Sequence, residues 1–318
     1  MNILRAIVVC LLLGGSIGSA QQFPAKSIRF VVPFPAGGGV DALARLLGQK
    51  LTEAWGQQVI VENRPGAQGS IGNALAAKAA PDGYTILVSE CGSLCVNPHL
   101  YTNVGFNPQK DFAPVTLAIQ QPSVLVAHPS VPAKSIKELI ALAKAKPGKL
   151  TIGTSSAAPQ IAGELFQIMA GIKLTHVPYK GTNPALIDVL GGHVDLIISG
   201  PSAPLPFIRS GRLRALAVTT RTRVDILPEV PAVSEAGIPE YEMFNWMGVL
   251  APAGTPAEIL SRLNTELVRI LKLPEVRERL IRDGMQPVGN SSEEFAAFMR
   301  SEIVKWGKAV QLTGVRVN

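Results

Sequence analysis

Little in this chain of 318 residues advertises chemistry by itself. It holds only three cysteines, and its four histidines (His99, His128, His176 and His193) are scattered without metal-ligand spacing. No run of five basic residues occurs, so the formal charge of +7 is spread along the chain and marks no nucleic-acid or membrane patch. There is no H-E-x-x-H motif, and no Gly-Lys-Ser/Thr follows the glycine turns as a P-loop requires. No apolar stretch reaches the ~20 residues of a bilayer span. With 30 Gly and 25 Pro the chain is rich in turns but far from a collagen-like or low-complexity composition. What it does have is 47% hydrophobic residues against 17% charged ones, ample for a packed core. At roughly 100–200 residues per domain, the length argues for two globular domains.

The N-terminus reads as an export signal. Arg5 supplies a positive start, Ala6 to Leu13 an apolar centre, and Gly18-Ser19-Ala20 the small residues of a cleavage site after Ala20. Residues 1–20 are therefore expected to be a signal peptide, and the mature chain a soluble protein of the periplasm. The nucleophile-like Gly14-Gly15-Ser16-Ile17-Gly18 lies inside that segment and is discarded. Cys10 goes with it, and Val9 before it argues against a lipid anchor. Loss of Arg5 leaves 29 basic against 23 acidic residues, a charge of +6. Cys91 and Cys95 remain, either as a local disulfide or as buried thiols; their spacing is not the C-x-x-C of a thiol oxidoreductase.

Short β-rich runs alternate with amphipathic helical stretches. Strands are expected at 28–33, 58–61, 85–89, 124–127, 150–153, 176–178, 195–199 and 214–219. Helices are expected at 40–55, 71–80, 135–145, 161–170 and 184–190, in a long amphipathic region after Pro256, and from Glu293 to about Val310. This order implies doubly wound α/β architecture with parallel sheets. A faint internal echo links Val124 to Pro129, which leads through Pro132 into a helix, with Gly248 to Pro252, which leads through Pro256 into another.

Two loops could hold a ligand. Phe34-Pro35-Ala36-Gly37-Gly38-Gly39 joins a strand end to a helix start, with Asp41 at the helix N-cap or in its first turn. Such a turn lets a ligand approach the backbone, and the helix start offers unpaired N–H groups. Thr154, Ser155, Ser156, Ala157 and Ala158, with Pro159 and Gln160 behind them, form a second such junction. Each is the C-terminal edge of a sheet, where open α/β folds bind ligands. Two lobes closing on one anion need no catalytic residue, and no cofactor or metal is expected. Trp246, after Phe244-Asn245, could wall a pocket or simply pack in the core.

Several motifs together resemble the tripartite tricarboxylate receptor family, the Bug-type periplasmic binding proteins. They are Val32-Pro33-Phe34 with Gly37 to Asp41, Val61 to Ala67, Pro81 to Thr85, His176 to Gly181, Gly191 to Asp195, Leu213 to Thr219, Pro228 to Gly237, and Ala251 to Pro256. The resemblance implies a type II periplasmic-binding-protein fold: two doubly wound α/β lobes joined by two crossing strands near Gln121 and Trp246. Lobe 1 would comprise residues 21–121 plus 247–318, and lobe 2 residues 122–246. It further implies a monomeric receptor that captures a small organic carboxylate (a di- or tricarboxylate, or an aromatic acid) between the loops at 33–41 and 153–161, and hands it to transporter subunits in the membrane. Family members commonly carry His-Leu where Gln160-Ile161 stands here, and Ala157-Ala158 is less polar than usual, which implies a more apolar or larger acid. An exported hydrolase acting on a small acid is the alternative from another class, but no nucleophile with a base in reach appears. A ligand-sensing role would use the same binding chemistry.

Overall fold

The computed structural model describes residues 23–154, 157–179 and 181–315. The proposed signal peptide, Ser155, Ser156 and Lys180 thus lie outside the described residues. The chain opens as β1 (Ile28–Val32), α1 (Gly39–Trp55), β2 (Val59–Asn63), α2 (Ser70–Ala77) and β3 (Thr85–Glu90). A π-helical turn at Gly92–Val96 and the short α3 (Asn97–Leu100) lead to β4 (Phe112–Pro122). The chain then passes through Ser123 into β5 (Val124–Ala127), α4 (Ile136–Ala145), β6 (Thr151–Thr154) and α5 (Ala157–Ala170). β7 (Thr175–Pro178), α6 (Thr182–Leu190), β8 (Leu196–Ser199), α7 (Leu205–Arg209) and β9 (Arg214–Val218) follow. It ends with β10 (Phe244–Pro252), α8 (Ala257–Leu271), α9 (Pro274–Arg282), β11 (Gln286–Pro287) and α10 (Ser292–Thr313).

These elements make two mixed sheets, of order β11-β4-β10-β3-β1-β2 and β7-β6-β8-β5-β9. β1, β2 and β3 pair parallel in one sheet and β6, β7 and β8 in the other, as the strand–helix alternation demands. The sheets are not wholly parallel, however. β10 runs antiparallel to β3 and β4, and β5 runs antiparallel to β8 and β9. The reason is connectivity: β4 leads almost directly into β5, and β10 comes back beside β4, so neither arrives through a crossover helix. Gln121 on β4 faces Asn245 on β10, and the chain changes sheets alongside that pair. The two echoing segments occupy the same place. β5 and β10 are each the fourth strand of the common order, antiparallel to the third, and each precedes a helix.

Local signals explain the element ends. Along α1, Leu43, Leu46, Leu47 and Leu51 form one buried stripe, and Gly56 closes the helix at φ +69° with its N–H on the Thr52 carbonyl. Ser291 and Glu294 form a reciprocal capping box at the start of α10. The buried core is not confined to single lobes. Leu94, Ala158, Ile161, Phe166, Tyr241, Trp246, Phe295 and Trp306 belong to one contiguous cluster, so the lobes are packed against each other along α5, the 92–96 turn and α10.

Candidate functional site

The loop after β1 is held from within. Asp41 is buried, 3% exposed, and its carboxylate accepts from the Gly37 N–H at 2.9 Å, Arg45 Nε at 2.9 Å and Asn63 Nδ2 at 3.0 Å. Asn63 Nδ2 also donates to the Phe34 carbonyl at 3.0 Å. Burial pushes the Asp41 carboxyl up, but the hydrogen bonds from Arg45, Gly37 and Asn63 and the Arg45 charge outweigh it and hold it below the usual carboxylate range. The side chain caps nothing at Gly38; it ties the turn to β2. Pro35 to Gly39 are left exposed and Phe34 half-buried, so backbone is what this turn presents. Gly37 is in the left-handed region at φ +84°, which a side chain would resist.

Two further segments complete the same rim. At Gly69, a Cβ would lie 2.8 Å from the Ser93 Cβ and 3.0 Å from Phe34 Cζ, so these loops are in contact. Ala67 and Gln68 beside it take positive φ of 45° and 51°, an unusual conformation for residues with side chains. It is stabilised by Asn97, whose Nδ2 donates to the Gln68 carbonyl and to Ser70 Oγ. Ser93 Oγ hydrogen-bonds Ser89 Oγ and donates to the Glu90 carbonyl.

The second junction faces this rim. Thr154 is buried and hydrogen-bonds His176 Nε2, and burial holds that imidazole below its usual pKa. Ala157, Ala158 and Pro159 are buried in the first turn of α5, and Gln160 is half-buried. The contact between lobes is tight at one point: a Cβ on Gly92 would lie 3.4 Å from both the Cβ and the N of Ala158, and 3.4 Å from Glu90 Oε1. Gly92 therefore sets the turn after β3 against the start of α5, and the neighbouring Ser93 carries that turn on to Gly69 and the Phe34 loop. Behind it, a cavity of about 10 Å³ is lined by Ser123, Ala158, Pro159, Ala162, Met243, Phe244, Asn245 and Trp306. That is room for about one water, so the lobes are shut on each other here.

Sequence reasoning missed the polar groups at this seam. Glu90, at the C-terminal edge of β3, is 9% exposed, and its Oε2 accepts from Asn245 Nδ2 at 3.0 Å. Burial pushes its carboxyl up, opposed only by that amide. Among the described residues Asn245 Oδ1 is buried without a hydrogen-bond partner. A second buried carboxylate, Glu302, accepts from the indole N–H of Trp246 at 3.1 Å and of Trp306 at 3.0 Å. Trp246 is thus fully buried core that also orients a carboxylate. The only sequence signal for Glu90 was an acidic residue ending an otherwise apolar strand.

Cys91 and Cys95 are buried free thiols. Burial, then the neighbouring Cys95 and the carboxylates of Glu302 and Glu90, push the Cys91 thiol well up, so it stays protonated and inert. Among the described residues no group of three His, Cys, Asp or Glu could hold a metal, and no helix is long and apolar enough to cross a membrane.

The family model described as the tripartite tricarboxylate transporter family receptor matches residues 43–315. Protein BugT of Bordetella pertussis is 37% identical over 325 residues, spanning the whole of both chains. Among solved structures, Rpa4515 of R. palustris with adipate is 36% identical with a TM-score of 0.87, covering 92% of this chain and 98% of that one. MatC of Rhodopseudomonas palustris with bound malate is 31% identical with a TM-score of 0.83, covering 91% of this chain and 100% of that one. The architecture is accordingly that of periplasmic binding proteins, and the matching family is one of receptors, not enzymes.

Proposed function

The chain belongs to the tripartite tricarboxylate transporter receptor family, a family of solute-binding receptors, and from that premise we propose that it captures a small organic carboxylate between its lobes and delivers it to membrane transporter subunits. The observation that carries this reading is the seam at Gly92, where the glycine-turn rim of one sheet meets the first turn of α5 at the edge of the other. The adipate and malate bound by two relatives support an acid as ligand. Its carboxylate would take hydrogen bonds from backbone N–H groups of Gly37 to Gly39 and of Ala157 and Ala158, with Ser155 and Ser156 adding hydroxyls. Thr154 and Asp41 position these loops, and Gln160 with Phe34 bounds the space beside them. Ala158, Pro159, Ala162, Met243, Phe244 and Trp306, which line the shut seam, would offer an apolar surface to an acid with an apolar body once the lobes part.

In this reading residues 1–20 direct export to the periplasm and are removed. Residues 21–121 with 247–318 form one lobe, residues 122–246 the other, and the receptor works as a monomer. Ligand shifts the protein toward the closed arrangement, in which both loops engage it. The test is a thermal-shift panel of organic acids on refolded mature protein. An acid at 100 times its dissociation constant adds roughly 2.7 kcal/mol, a shift of a few degrees. A panel in which no acid moves the transition overturns the reading.

A further inference from the structure

Three things meet at the end of β3. Glu90 pairs in register with Met247, whose methyl lies 3.2 Å from where a Cβ on Gly39 would be, so this edge adjoins the start of α1. Glu90 Oε1 and the Ala158 backbone N each lie 3.4 Å from the Cβ position of Gly92, so the same carboxylate is near the start of α5. Glu90 thus ends its strand close to both helix starts. It is an odd residue for a site that takes anions. Among the described residues it has no ion-pair partner, and the one donor it is given is the Asn245 amide.

That bond decides the orientation of Asn245. With Nδ2 committed to Glu90 Oε2, its Oδ1 is left buried and unpartnered on the wall of the inter-lobe cavity. The reverse orientation would set a carbonyl oxygen against a carboxylate oxygen. With Glu90 ionised, the pair therefore offers two acceptors, Glu90 Oε1 and Asn245 Oδ1, and no donor; burial disfavours that charge, and a donor placed against it, above all a cationic one, restores it. Buried acceptors of this kind call for a hydrogen-bond donor and disfavour a ligand that brings only more acceptors.

We propose that Glu90 and Asn245 set the ligand class of this cleft, selecting acids that carry, besides the carboxylate, a proton-bearing group (ammonium or hydroxyl) which the two side chains accept. The inference rests on the carboxylate-receptor reading and narrows it. A plain dicarboxylate places its second anionic group against Glu90, whereas an amino or hydroxy acid of the same skeleton places a donor there. The loops grip the shared carboxylate, and Glu90 with Asn245 reads the substituent beside it.

The experiment is calorimetric titration of the mature protein with two matched series: succinate, malate and aspartate; and 3-phenylpropionate, 3-phenyllactate and phenylalanine. In at least one series a donor-bearing member should bind about tenfold or more tighter than its unsubstituted parent. Whether the hydroxy or the amino member gains more identifies the donor. Glu90→Gln should remove most of an ammonium preference while retaining part of a hydroxyl preference, because the amide oxygen still accepts. Asn245→Ala should narrow the preference as well. Equal or tighter binding of the unsubstituted acids by the unmodified protein overturns the inference, and needs no variant to fold. Equal weakening of all three members by Glu90→Gln would reveal a merely structural residue and also overturns it. If no member of either series binds, the receptor reading falls and takes this one with it; indifference within a series sinks this one alone.

Discussion

At the scale of single residues, the charged groups near the cleft do opposite jobs. Asp41 spends its carboxylate inside lobe 1, on the Gly37 N–H, Arg45 and Asn63, and so shapes a turn whose exposed surface is backbone. Because its folded pKa is depressed, it contributes stability that is complete above the ordinary carboxylate range and is lost as pH falls through the lowered value. Asp41→Asn should cost about 1–3 kcal/mol at pH 7, since buried donors lose their charged acceptor. The same variant should show a flatter decline of urea stability between neutral pH and about pH 3. Identical pH profiles for the two proteins would mean that Asp41 is not tied as described. Glu90, by contrast, has a raised carboxyl and few partners, the signature of a group kept available.

At the scale of elements, the closest fit in lobe 1 is between β10 and α10. Gly248 on β10 lies under the Phe295 ring, and a Cβ there would stand 2.2 Å from Phe295 Cζ. Phe295 in turn meets the Trp246 ring edge-on, with centroids 5.5 Å apart. Gly248→Ala should therefore overpack this contact and destabilise the protein by about 1–3 kcal/mol. Chemical denaturation checks it, and an unchanged midpoint would show that α10 can slide away without cost. The element also explains why Glu302 is tolerated in the core. Two indole N–H donors and Lys305, at 3.5 Å from its other oxygen, share its charge.

At the scale of the whole molecule, the lobes also touch just after α9, away from Gly92. Ser202, after β8, donates to the Asp283 carbonyl at 2.6 Å, and a Cβ on Gly284 would lie 2.4 Å from Pro201 Cγ. Gly284 has φ +73°, so Gly284→Ala carries backbone strain as well as a collision across the seam. Gly56→Ala has φ +69° and nothing within 4 Å of the new Cβ, which isolates the strain. Both variants should lose about 1 kcal/mol or more of stability. Only Gly284→Ala should also enlarge the radius of gyration in small-angle scattering and weaken acid binding about tenfold. Equal binding by both variants would show that this contact plays no part in closure.

The sequence by itself determined what depends on neighbours a few residues apart. The apolar period of α1, the strand–turn–helix order of both lobes, the last helix from Glu293 and the two glycine- and hydroxyl-rich junctions were all legible, because periodicity and turn chemistry act over one or two helical turns. Only the tertiary structure decided strand direction in the middle of each sheet, since β4 and β10 look like any apolar strand until their connections place them. It also decided how Asp41 is held, by the Gly37 N–H, Arg45 and Asn63 on the next strand. The Glu90–Asn245 pair, separated by 155 residues, could not be read from either position. Its meaning comes from burial and from the partners denied to it, and both are properties of the packed sheet edge, where, among the described residues, a carboxylate is enclosed with a single amide donor.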